Sequence, residues 1–441
     1  MLFRSIAQQA QATLDTMVSA TGPGAVVLIA LGDRVVFRAA RGQANIELGV
    51  ALIPGDEFRI ASLTKMFTAA LVLKLADAGD LALDDALDKY LADFPHADKI
   101  KIRELLAHTS GISDVIADPQ PGFSRRDVDT ATLIAQIRKR PLDFAPGTRW
   151  SYSNAGYILL GAVIERVTGQ HWYEAVEKQL LEPLQLTHTR YGAATELIHR
   201  RAAGYSVDKQ THAVVNAAYI SASIPAAAGG LVSDADDLFR WMRALARGRV
   251  VGAKTFAQMT VPSPRLPGDH ESYSYGMGMY LWRVRGERMV GHTGQIDGFA
   301  SALAYLPQSD VTIVVLANSD EFDARTAARR FAAIALGSPY ATGVGVPISA
   351  PDMEALAGRF GASDSGENIF AADGKLFARR GMHKAVQLQM TAGGELHFLP
   401  DELTYFMPLR DISGRVVALD DFEDGDAPAL RLARQPSLSP D

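Results

Sequence analysis

Read by its apolar and polar positions, the chain opens on "MLFRSIAQQAQATLDTMVSA", whose apolar residues recur at helical spacing and predict an amphipathic helix. Two β-rich runs follow, "GAVVLIAL" and "DRVVFRAARG", parted by Gly32-Asp33. Glycine and aspartate tolerate the turn and the flanks are β-branched, so a hairpin is predicted. From Ser62 to about Arg249 the pattern is mostly helical, broken by Pro/Gly turns, as in "TLIAQIRKR" and "YILLGAVIERVTG", where Gly169 is placed to cap the helix. A second β-rich block holds "YGMGMYLWRV", "ERMVGHTG", "FASALAYLP" and "VTIVVLAN", and the helix "DARTAARRFAAIAL" closes it. Strands at both ends with helices between them predict an α/β unit. It has one antiparallel sheet completed late in the chain, helices packed on it and a mainly helical half to one side.

The stretch "GSPYATGVGVPISAP" is rich in Gly and Pro, lacks periodicity and reads as a linker. Beyond it, "NIFAAD", "KLFARR", "VQLQMT", "ELHFLP" and "RVVALDDF" are spaced by Gly-containing turns and predict an all-β meander closing as a small, lipocalin-like barrel. The expected organisation is therefore 1–337, a linker at 338–351, and a small all-β domain at 352–441.

At 441 residues, both parts are large enough to bury a core of their own. The net charge of −6 argues against a nucleic-acid partner, which calls for a basic face. The absence of cysteine excludes disulfides, thiolate metal sites and cysteine nucleophiles. No apolar run is long enough to span a membrane. The first residues lack the apolar core of a secretion signal, so a cytoplasmic location is expected if Met1 is the native start, and a periplasmic or secreted one if a leader was trimmed. The histidines show no H-E-x-x-H spacing. The acidic run "DDFEDGD" fails the EF-hand pattern, with Phe422 at a ligand position and Arg431 in place of the bidentate glutamate, and reads as a solvated loop. No catalytic metal and no cofactor are expected.

The stretch "RIASLTKMFTAALVLKLADAGDL" carries the first candidate chemistry. From Leu63 to Ala78 it predicts a helix apolar almost all round, hence buried, yet Lys65 sits in its first turn, on the same face as Ser62. A buried ammonium is costly unless paired or deprotonated. A lysine with a lowered pKa can take a proton from a neighbouring hydroxyl, and a helix start offers free N–H groups where an oxyanion forms. Equally, Ser62 can be a simple N-cap and Lys65 can snorkel to solvent. The same tetrapeptide pattern recurs as "SVDK" (206–209), in a polar stretch.

In "FAPGTRWSYSNAGYILLGAVIERVTG", Tyr152 and Asn154 precede a helix on a loop. Positive charge from Lys65 would favour the phenolate and let Tyr152 act as a general base. Asn154 can offer its amide to Lys65 and to a substrate carbonyl. The alternative is that Ser153 or Asn154 caps the helix and Tyr152 packs. In "MVGHTGQIDGFAS", His292-Thr293-Gly294 ends a predicted strand, where the N–H of Gln295 can serve as a second oxyanion donor. Alone, the triplet is also an ordinary turn.

The ordered set Ser62-x-x-Lys65, Tyr152-x-Asn154 and His292-Thr293-Gly294 resembles the serine β-lactamase and penicillin-binding protein superfamily. The resemblance is to its class C-like branch of esterases, D-aminopeptidases and D-Ala-D-Ala carboxypeptidases. "LLAHTSGI", "LLEPLQLTHT", "AAAGGLVSDADDLFRWM" and "GHTGQIDGFASALAYLP" resemble family segments in the same order, over roughly residues 10 to 335. The resemblance implies Ser62 as acylated nucleophile, Lys65 and Tyr152 as its proton shuttle, and Asn154 as a positioning residue. It further implies the amides of Ser62 and Gln295 as oxyanion hole and His292, Thr293 and Gly294 as the strand wall.

The function implied is a serine hydrolase forming an acyl-enzyme on an ester or a D-residue peptide, with a small-molecule or peptide substrate. A penicillin-binding or sensing protein with little turnover is the alternative. The chain departs from the strict pattern in carrying His292 where the third motif has lysine, which weakens a β-lactamase role. Were His292 protonated to bind a carboxylate, affinity for acidic substrates would fall as pH rises through about 6.5.

Overall fold

The computed structural model describes residues 2–114, 122–263, 273–340, 345–362, 366–381, 384–399, 403–422, 425–426 and 430–436. It divides into two compact units, Met1–Trp282 with Arg288–Gly337, and Arg283–Glu287 with Ser338–Asp441.

In the first unit, α1 (Leu2–Met17) buries Ile6, Ala10 and Leu14, spaced one helical turn apart. The hairpin β1 (Ala25–Leu31) and β2 (Arg34–Arg41) turns at Gly32, whose φ of +59° suits glycine. Strands β3 (Ser274–Tyr275), β4 (Tyr280–Val284), β5 (Glu287–Ile296), β6 (Phe299–Leu306) and β7 (Val311–Ala317) arrive late in the chain and complete a seven-stranded sheet, in the order β3-β4-β5-β6-β7-β1-β2. The closing pair is antiparallel, with Val27 opposite Val315. Every residue of β6 and β7 is buried, so the sheet is covered on both faces. This explains why those strands read as continuous apolar runs without alternation.

The helical half is built on α2 (Thr64–Ala78) with α3 (Asn154–Thr168) beside it, while α4 (Ala235–Ala246) and α5 (Ala324–Ala335) pack against the sheet. The expected start of α2 shifts, because a 3₁₀ turn over Ala61–Leu63 precedes it. Ten consecutive residues, Thr64 to Leu73, are buried, as the all-round apolar pattern demands. Phe67 stacks on Trp241 of α4 at 4.0 Å between ring centroids. Gly79 (φ +83°) ends α2 and Gly169 (φ +71°) ends α3, both left-handed caps.

The second unit is an up-and-down barrel of eight consecutive strands. They are β8 (Gly358–Phe360), β9 (Glu367–Ala372), β10 (Lys375–Arg380), β11 (Val386–Met390), β12 (Leu396–Phe398), β13 (Tyr405–Arg410), β14 (Val416–Phe422) and β15 (Leu430–Ala433). Backbone bonds from Gly361 N to Ala433 O (2.9 Å) and from Gln435 N to Arg359 O (2.8 Å) bring first and last strands together and nearly close it. Its core includes Phe360, Ile369, Leu376, Leu388, Phe406 and Leu419.

Two expectations change here. In "DDFEDGD", Asp420 and Asp421 are not in a loop but end β14, paired with Arg431 and Arg380; residues 423–424 lie outside the described residues. Of the expected linker, 341–344 lies outside the described residues, Val346 donates to Met390 O (2.8 Å), and a helix begins at Ala350. No described helix is long and apolar enough to cross a membrane. Among the described residues no group of three His, Cys, Asp or Glu side chains is arranged to hold a metal ion.

Candidate active site

The placement of Ser62 starts with backbone. Strand Phe58–Arg59 pairs with Leu231–Ser233, the Ile60 amide donates to Leu231 O (3.1 Å), and Ser301 Oγ donates to Ile60 O (2.8 Å). Ala61 then takes φ +47°, a costly conformation for a residue with a Cβ, and the chain turns into Ser62. Strand β5 passes so close that a Cβ on Gly294 would lie 2.4 Å from Ile60 O and 3.0 Å from Ser62 N. Only glycine fits there. The His-Thr-Gly triplet thus lies inside β5, which runs on to Ile296, and not at its end.

Lys65 is fully buried, and its Nζ meets three oxygens: Asn154 Oδ1 at 2.7 Å, Ala228 O at 2.9 Å and Ser62 Oγ at 3.0 Å. Burial pulls its pKa down to about 7, with the Asp114 carboxylate pushing the other way. A neutral amine has two N–H donors and one lone pair. Asn154 Oδ1 and Ala228 O can only accept, so they take both donors and leave the lone pair for the Ser62 hydroxyl. Snorkelling is ruled out.

Tyr152 also hydrogen-bonds Ser62. Burial, then the neighbouring Tyr280 ring, holds its phenol well above the ordinary value, against the pull of Ser62. The expected phenolate is therefore corrected: loss of water on burial is the largest influence on Tyr152 and favours the neutral phenol. Its ring stacks parallel to Tyr280, with centroids 6.3 Å apart. Ser153 caps α3, accepting from Gly156 N at 3.1 Å, so capping and a site role coexist in this loop.

His292 is buried in β5. Its Nδ1–H donates to Thr293 O (2.5 Å), which assigns Nε2 as acceptor from the Tyr275 hydroxyl (3.0 Å). Burial, reinforced by Lys65, pushes its pKa down to about 3. The imidazole is neutral across the physiological range, so the expected change in affinity near pH 6.5 has no group to produce it.

A cavity of about 410 Å³ brings Ser62, Tyr152, Asn154, His292, Thr293 and Gln295 together with Ala228, Tyr280 and Asp297. The Gln295 side chain is turned away and donates to Asp320 O (2.7 Å). The second tetrapeptide is structural: Ser206 donates to Asp320 Oδ2 (2.5 Å).

Three contributors carry no clear mark in the sequence. Ala228 acts through its carbonyl, which no side chain announces. Asp114 accepts from both Asn154 N (3.0 Å) and Asn154 Nδ2 (3.1 Å), fixing the amide so that Oδ1 faces Lys65. His108 accepts from Ser153 N (3.1 Å) beside the Tyr152 ring. Both lie in "HTSGISD"; the family-like segment "LLAHTSGI" covers His108 but assigns it no role, and Asp114 lies just beyond it.

Comparison with known proteins bears on the family and the fold. The family described as Beta-lactamase matches residues 4–337. The protein flp of Staphylococcus aureus (strain COL) is 29% identical over 302 residues, covering 67% of this chain and 59% of its own length. A D-aminopeptidase of Gluconobacter oxydans (strain 621H) is 28% identical over 349 residues, covering 75% of this chain and 63% of its own. The chain thus spans less than two thirds of either relative. The solved structure of a D-stereospecific amidohydrolase from Streptomyces sp. superposes with a TM-score of 0.65 at 27% identity, over 77% of this chain and 99% of the other.

Two expectations follow. The labelling rate of Ser62 by a neutral fluorophosphonate should rise with pH as Lys65 loses its proton, with a half-point near 7. Asp114→Asn, which removes the charge that favours the ammonium, should move that half-point to lower pH by about half a unit. A rate flat from pH 5 to 9 would remove Lys65 from the base role. Gly294→Ala should slow the same labelling about 100-fold by pushing β5 off the Ser62 amide, and unchanged labelling would show that the strand does not help form the site.

Proposed function

The chain belongs to the Beta-lactamase family, and from that premise we propose that it is a serine hydrolase acting through an acyl-enzyme on an ester or on the amide of a D-residue. The observation that carries the reading is the Lys65 amine, with both N–H groups engaged by Asn154 and Ala228 and its lone pair facing Ser62 Oγ.

Ser62 Oγ attacks the substrate carbonyl carbon while its proton passes to Lys65 Nζ. The carbonyl oxygen becomes an oxyanion held by the backbone N–H groups of Ser62 and Gln295. The bond to the leaving group then breaks, and the neutral Tyr152 phenol, hydrogen-bonded to Ser62, supplies the proton the leaving group needs. Lys65 returns its proton to Tyr152. Water repeats the sequence in reverse to release the acid. His292 and Thr293 line the opposite side, with Gly294 packed against Ile60 O and the Ser62 amide, and an extended substrate pairs with β5 there.

The charge of the cavity narrows the substrate. Its described lining contains neither lysine nor arginine, His292 is neutral, and Asp297 is the one lining carboxylate. A substrate carboxylate finds no cationic side chain on this lining, whereas a free ammonium finds Asp297, whose charge Arg59 also feels. This favours amides with a free amino terminus and neutral esters over penicillin-like acids and C-terminal carboxylates. It accords with what the similar D-aminopeptidase and D-stereospecific amidohydrolase are named for.

The test is a set of paired initial rates on p-nitrophenyl butyrate, D-alanyl-p-nitroanilide and its N-succinyl derivative. D-Alanyl-p-nitroanilide should be cleaved faster than the succinylated form, and Ser62→Ala should lose about 10⁴-fold or more. Retained turnover in Ser62→Ala would overturn the nucleophile assignment. Preference for the succinylated substrate would overturn the charge argument. Silence on all three substrates, with folded protein, would replace turnover with binding.

A further inference from the structure

We propose that His108 is a positioning residue for Tyr152, holding the phenol at Ser62 through the backbone on both sides of it; the inference rests on the hydrolase reading above. His108 does not line the cavity. It grips the loop that does. Its carbonyl accepts from Ser151 N (3.0 Å) and its Nδ1 accepts from Ser153 N (3.1 Å), so the residues flanking Tyr152 are tied to one histidine. The ring itself packs on Tyr152, with centroids 4.4 Å apart, and on Tyr275 at 4.6 Å.

The clasp extends along the chain. Gly147 N donates to Thr109 O (2.8 Å), Asp143 N donates to Gly111 O (2.9 Å), and Asp114 takes the amides of Asn154 described above. Residues 108–114 therefore form a rail of acceptors under the loop 143–154. Gly111 (φ +74°) lets the two backbones meet, since a Cβ there would lie 2.0 Å from Phe144 O. His108 itself adopts φ +60°, unusual for a residue with a side chain, which turns carbonyl and ring toward the same loop.

The imidazole is a specific choice at this place. Because Nδ1 accepts, the proton is on Nε2, and Nε2 is buried with no hydrogen-bond partner among the described residues. A phenyl ring would fill the same space and leave no donor unpaired. What imidazole adds over phenyl is acceptance at Nδ1, from an N–H that the helix cannot use because Ser153 is the cap. Burial, with Lys65 and His292 nearby, keeps the ring neutral and so keeps that acceptor available.

Three variants separate packing from acceptance: His108→Phe keeps a ring, His108→Asn keeps an acceptor near Nδ1, and His108→Ala keeps neither. His108→Phe should fold with a wild-type melting temperature yet lose about 10- to 100-fold in kcat with KM little changed, as expected of a misplaced proton-transfer group. His108→Asn should recover most of that loss. In a Tyr152→Phe background the His108→Phe change should cost less than about twofold, because its effect passes through the phenol.

Hydrogen exchange over 143–154 gives a readout free of turnover: it should quicken in His108→Phe and return toward wild type in His108→Asn. Wild-type kcat in folded His108→Phe would overturn the proposal, as would a loss that persists in full in Tyr152→Phe. Failure of the hydrolase reading itself appears separately, as turnover that Ser62→Ala retains or as absence of turnover in the wild type. In that case unchanged exchange at 143–154 in His108→Phe sinks the clasp on its own.

Discussion

The site depends on one constraint: an amine inside an apolar helix bundle must find oxygens without finding water. Lys65 sits in the first turn of α2, and its neighbours along that helix are buried. Three separate segments deliver its oxygen partners. Ser62 comes from the turn before α2, Asn154 from the start of α3, and Ala228 O from the small-residue run 226–229. Each must come close, and small side chains let them. A Cβ on Gly161 of α3 would stand 2.7 Å from Ala227 Cβ, and Thr68 Oγ donates to Ala227 O at 2.7 Å. Packing of α2, α3 and the 226–229 turn is thus what sets the proton affinity of Lys65, through burial.

A second layer holds the first. The oxygens around Lys65 keep their places because residues outside the cavity fix them: Asp114 orients the Asn154 amide, and the backbone around His108 and Gly111 carries the loop. The strand wall has its own support, since Ser301 Oγ ties Ile60 O and Tyr275 caps His292 Nε2. These bonds, backbone and side chain alike, lie outside the cavity and keep the groups within it aligned without adding flexible parts to it.

Much of this is legible in the sequence where a local rule is broken. A lysine in an all-apolar helix has to be explained, so the residue pattern raises Ser62 and Lys65 as candidates, while the choice over capping and snorkelling rests on the ordered motifs around them. The sheet is legible from its β-branched runs, and its late completion from their order. Groups that act through backbone or through protonation state are harder to read. Ala228 contributes a carbonyl that every residue has. A phenolate at Tyr152 follows only if Lys65 is weighed as a full charge, whereas burial governs both groups. In the barrel, β13 hides behind Pro408, tolerated because pairing with β12 reaches only Tyr405 and Phe406. The last strand, β15, is only four residues long, "LRLA", and β8 only three.

His292 ties the charge of the wall to the chemistry of the base. Its imidazole already feels Lys65, which helps push its pKa down to about 3. An ammonium at that position would meet the same field, and both cations would have to share one buried region with few counter-charges. Either Lys65 would be driven to still lower pKa, or the second cation would need a carboxylate from the substrate to be tolerated. A site with lysine there therefore takes its counter-ion from an acidic substrate. With a neutral imidazole, locked by Thr293 O and Tyr275, the wall needs no such partner and offers backbone and a hydroxyl instead. The wall therefore carries no cation among its described lining residues, and the carboxylate on that lining is Asp297.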